Sequence, residues 1–148
     1  MNLSECYITA ITPYGSQNEQ SHEIEEYIVT SSAEIGIVDT PRAQQVISDC
    51  APKGYTAETP LVSIGCAGLF AAVMKFAAGP ARTARILALE TPSDFVQSTL
   101  DCAQLGAGGD GFVAQDVAYV LDLQKFPEGA LARIEHCEIM SRPSCFAG

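Results

Sequence analysis

Between Thr59 and Met74 the chain carries no charged residue, and this apolar run is broken once, by Gly65-Cys66-Ala67-Gly68. A membrane-spanning helix needs about 20 apolar residues. The run therefore reads as two buried pieces, a strand over Leu61 to Gly65 and a helix over Ala67 to Ala78. Lys75 is the only charge in that helix, and a helix apolar nearly all round is expected to be covered on most sides. A chain holding both pieces has to build further layers around them.

The flanking residues supply those layers. Cys6 to Ile11 alternates loosely and predicts a first strand, closed by Pro13 and Gly15. The polar stretch Ser16 to Glu23 reads as a loop, and Tyr27 to Thr30 as a β-rich second strand. Thr40 can cap a helix with Pro41 at its first position, and Ala43, Val46, Ile47 and Cys50 then share one face. Pro52 and Gly54 end it. Beyond the buried helix, Gly79-Pro80 is a stop and Arg85 to Glu90 a fourth strand. Thr91-Pro92-Ser93-Asp94 opens another helix, with Val96, Leu100 and Ala103 on its inner face. Val117 to Leu123 predicts a fifth strand, Leu131 to Met140 a sixth, and Ser141 to Gly148 a turn-rich tail.

Strands alternating with helices indicate a layered α/β fold with a mostly parallel sheet of five to six strands. The last two strands have no helix between them and are expected to pair antiparallel. No internal repeat or linker divides the 148 residues, so one domain over 1–148 is expected.

Charge narrows the partners. Eighteen acidic residues stand against eight basic ones, for a net charge of −10. Nucleic acid requires clustered Lys and Arg to displace counterions, and anionic membrane surfaces require the same. Neither is expected as a partner. The first residues, Met1-Asn2-Leu3-Ser4-Glu5-Cys6, have no basic start and no long apolar run, so no secretory signal is read and a cytoplasmic location with reduced thiols is expected. The six cysteines (Cys6, Cys50, Cys66, Cys102, Cys137 and Cys145) form no C-x-x-C pair. Most of them read as small buried hydrophobes.

Cys66 is the exception. The nucleophilic form of cysteine is the thiolate, and a helix N-terminus favours negative charge through its unpaired N–H groups and its dipole. At the junction of a strand and a helix, a sulfur is both aimed and partly activated.

The order strand, Gly65-Cys66-Ala67-Gly68, buried helix, strand resembles the N-terminal half of the thiolase-like superfamily, in particular the ketoacyl synthase III type of condensing enzyme. Cys66-Ala67-Gly68-Leu69 resembles that family's Cys-Ala-Gly-Phe nucleophile motif, with Leu in place of Phe. Tyr27 to Ser31 with the helix from Pro41 is similar to the strand and helix before the family's nucleophile strand. Leu87-Ala88-Leu89-Glu90-Thr91 is similar to the strand after its buried helix. Asp116 to Leu121 stands where the family has a Gly-Asp-Gly-Ala run, here without the glycines.

The resemblance implies a truncated thiolase-like half, with Cys66 as the catalytic nucleophile for acyl-thioester transfer or condensation of fatty acid or polyketide type. Acyl-coenzyme A or an acyl carrier protein would be the substrate partner. It implies no cofactor and no metal. The family's helices between its first two strands are reduced here to the loop around Ser16 to Glu23. The second half, which supplies the family's His and Asn (or a second His), has no counterpart, and His22 and His136 match no catalytic position. A homodimer, or a heterodimer with a ketosynthase-like subunit, would then stand in for it. The alternative is a non-catalytic partner or scaffold subunit supporting a full-length condensing enzyme. An unrelated α/β binding domain with Cys66 as core is a third reading.

Other signals carry less. Gly106-Ala107-Gly108-Gly109-Asp110-Gly111 has the letters of a dinucleotide fingerprint, but a helix precedes it and a strand follows, the reverse of what pyrophosphate binding needs. Glu23, Glu25 and Glu26, and more loosely Glu34 and Asp39, read as a solvated acidic face with no metal-ligand spacing. Arg82 and Arg85 are the best basic pair for a phosphate or phosphopantetheine, against the plainer reading of surface solubility.

Overall fold

The computed structural model describes residues 5–16, 23–31, 41–50, 61–62, 67–90 and 117–137. They form β1 (Tyr7–Pro13), β2 (Glu26–Thr30), α1 (Pro41–Cys50), β3 (Leu61–Val62), α2 (Gly68–Ala78), β4 (Thr83–Glu90), β5 (Val117–Gln124) and β6 (Ala132–Arg133). The six strands make one sheet in the order β3-β2-β4-β5-β1-β6.

The sheet is mixed. β2 pairs parallel with both β3 and β4, whereas β5 pairs antiparallel with β4 and with β1, and β1 pairs antiparallel with β6. The expectation of a mostly parallel sheet is corrected: the two longest ladders are the antiparallel ones that β5 makes. The physical reason is that β1 does not join β2 but lies beyond β5, and antiparallel neighbours need no crossover helix. The expected pairing of the last two strands is corrected as well. β6 adds to the far side of β1, so β5 and β6 run in the same direction with β1 between them. The sixth strand is also short, two residues against the predicted ten, and residues 134–137 continue as irregular chain.

The parallel portion places one helix on each face. From β2 to β3 the chain steps one way along the sheet, and from β3 to β4 it steps back across β2. Crossovers between parallel strands are right-handed, so opposite steps put their helices on opposite sides. The core divides accordingly. On one face Ala72, Val73 and Phe76 of α2 pack with Cys6, Ile28, Ala84, Ile86 and Leu123. On the other, Ala43, Val46, Ile47 and Cys50 of α1 pack with Val29, Leu87, Leu89 and Val120. Ile28 and Val29, or Ile86 and Leu87, serve opposite faces because successive strand side chains alternate. The predicted inner face of α1 is thus the observed one.

Two local devices shape the antiparallel portion. The β1–β5 register slips between Ile8 and Ala10, so Thr9 is an extra residue in β1, its hydroxyl donating to the Asp122 carbonyl at 3.3 Å. Such a bulge changes which residues share a face. Ile8 and Ile11 now point the same way, with Leu123 and Leu121 as their partners. At the strand ends, Gly15 and Gly129 take φ of 87° and 71° in turns closed by Ser16 N–H to Pro13 O and Ala130 N–H to Pro127 O, at 3.1 and 3.2 Å. A β-turn with positive φ at its third residue favours glycine there.

Among the described residues no helix is long and apolar enough to cross a membrane. The predicted helix from Thr91, the Gly106–Gly111 run and the tail from Ser141 lie outside the described residues, as does the predicted strand's extension over 63–65.

Candidate functional site

The segment that the sequence singles out is framed on both sides. β3 at Leu61–Val62 lies at the sheet edge beside Val29 and Thr30 of β2. α2 starts at Gly68 with Ala67 as its N-cap, and the first intrahelical bond runs from Ala71 N–H to Ala67 O at 3.0 Å. The N-cap Ala67 makes no side-chain capping bond and the first turn holds no acidic residue, so among the described residues no side chain caps the amide groups of this turn. Cys66 itself lies outside the described residues. Along the chain it is the residue immediately before the N-cap.

α2 is less covered than its composition led us to expect. Gly68, Ala72, Val73 and Phe76 are buried against the sheet. The opposite flank is Ala67, Phe70, Ala71, Met74 and Ala78, all exposed or half-buried, with Phe70 55% exposed. These positions follow the three-to-four spacing of a single helix face. Among the described residues, one side of α2 has a packing partner. The sheet face that carries α2 also presents Ile11, Val117 and Tyr119, each exposed, the last two at the N-terminal end of β5 where Val117 pairs with Glu90 of β4.

Arg82 and Arg85 do not form a basic pair. Arg85 lies on α1's face of β4, where its guanidinium donates twice to Asp122, Nε to Oδ1 at 2.8 Å and Nη2 to Oδ2 at 3.1 Å, and once to the Cys50 carbonyl at 3.4 Å. Burial pulls its pKa down, but the bond to and charge of Asp122 outweigh that and raise it above the ordinary arginine value. Asp122 is only 3% exposed, so the pair is part of the interior. Neither the phosphate reading nor the surface reading holds for Arg85. Arg82 lies over the Phe126 ring at 5.5 Å, and its amide donates to Glu25 Oε2 at 2.8 Å.

The acidic cluster is not a uniformly solvated face. Thr83 Oγ1 donates to Glu23 O at 2.7 Å and accepts from the Glu25 amide at 3.1 Å, tying the entry to β2 onto β4. Glu26 Oε2 is buried with no hydrogen-bond partner among the described residues. Close to it, at the end of α2, Lys125 Nζ donates to the Gly79 carbonyl and lies over the Phe76 ring at 5.2 Å. On the outer side of α1, Tyr14 donates to Asp49 Oδ2 at 2.5 Å, and that hydrogen bond raises the Tyr14 pKa.

His136 is exposed, and His22, Glu34, Asp39, Cys102, Asp116 and Cys145 lie outside the described residues. Sequence reasoning missed Asp122, and it placed Glu26 on a solvated face where the structure buries its Oε2. A signal for Asp122 was present, since it is the only charge in an otherwise apolar strand. Among the described residues no group of three or more His, Cys, Asp or Glu is placed to hold a metal ion. Compared with protein-family models and with curated proteins, the chain matches none.

Proposed function

We propose that the chain is a thiolase-like half-unit that carries acyl-thioester chemistry of fatty acid or polyketide type on Cys66, in the cytoplasm and within an oligomer. The observation that carries this reading is the order around Cys66: an edge strand, a short link, and an apolar helix whose start has no side-chain cap among the described residues. In loading, the Cys66 thiolate attacks the thioester carbonyl of an acyl-coenzyme A. A carbon–sulfur bond to Cys66 forms, and the coenzyme A thiolate leaves with the electron pair of the broken bond. The positive end of α2 favours the attacking thiolate, and backbone N–H groups at such a turn suit the developing oxyanion.

Assembly is supported by the open flank of α2 and by Ile11, Val117 and Tyr119 on the same side of the sheet. A second subunit, another copy or a ketosynthase-like partner, suits that apolar surface. The net charge of −10 favours coenzyme A over an acidic acyl carrier protein as donor, and it also keeps open the companion role, a non-catalytic subunit beside a full-length condensing enzyme.

Incubation with acyl-coenzyme A followed by intact mass measurement tests the reading. The expected result is one acyl adduct on Cys66, lost in Cys66→Ser. A folded protein whose Cys66 neither takes an acyl group nor labels with iodoacetamide at neutral pH overturns it, and co-purification with a full-length condensing enzyme would then establish the companion role.

A further inference from the structure

We draw no further inference here: the strongest candidate, the buried Glu26 Oε2 at the C-terminal end of α2 beside Gly79, whose carbonyl accepts from Lys125, is one unpartnered carboxylate oxygen that no metal-binding group of side chains joins among the described residues, and nothing in the structure shows what covers it.

Discussion

Arg85 and Asp122 bind each other at two points, with Asp122 buried and Arg85 largely so. Removing one member of such a pair strands the other charge, which costs roughly 3–5 kcal/mol. Asp122→Ala is expected to lose about that much in urea unfolding. The double change Arg85→Met with Asp122→Leu is expected to recover most of it. Arg85 also reaches the Cys50 carbonyl at the end of α1, a position where positive charge is favourable. Cys6 gives a pH signature at the same scale. Its folded pKa of about 11 lies above the ordinary 9.0, so between these values the folded state holds a proton that the unfolded chain has released. Its contribution to stability is complete below about pH 9 and is lost as pH rises towards 11. Tyr14 and Cys137, both raised, act in the same direction. Melting curves at pH 8 and 10.5 are expected to show this fall, shallower in Cys6→Ala. Of these residues the sequence makes only Asp122 visible, as a lone charge among apolar neighbours. Its partner was not legible, because Arg85 meets it only through the β4–β5 register.

At the scale of elements, periodicity located most of what forms. The face of α1 carrying Ala43, Val46, Ile47 and Cys50 packs as its spacing requires, and β5 spans Val117 to Gln124. β1 was harder to read because the bulge at Thr9 breaks its alternation in mid-strand, which is why the pattern from Cys6 to Ile11 looks loose. Of the two turns with positive φ, the one at Gly15 was legible as a stop to the first strand, and the one at Gly129 was not read. Gly129→Ala is expected to cost about 1 kcal/mol through backbone strain alone, since nothing lies within 4 Å of the added methyl group. Urea midpoints for that variant and for Ser48→Ala, on the exposed side of α1, measure the difference. α2 shows the limit of composition. An apolar helix predicts cover, and composition does not say what provides it.

The whole molecule was partly legible: a layered α/β sheet with helices was foreseen, the direction of half the strands was not. Strand direction is decided by which neighbours a strand finds, and β1 finds partners more than a hundred residues away. The flank of α2 that carries the exposed Phe70 bears on assembly. A solution mass above the 15.7 kDa of one chain is expected by sedimentation. Phe70→Glu, on that flank, is expected to return the mass to a single chain without lowering thermal stability. A single-chain mass for the unaltered protein would remove the support that this surface gives to assembly.

The position of β1, flanked only by β5 and β6, also governs the order in which the protein can be made. Among the described strands β1 has no neighbour until residues 117–133 have followed it, and closing so wide a gap is slow. A nascent chain halted before Val117 leaves Ile8 and Ile11 without a strand to pair with, and chaperone occupancy during synthesis should be greatest over that interval.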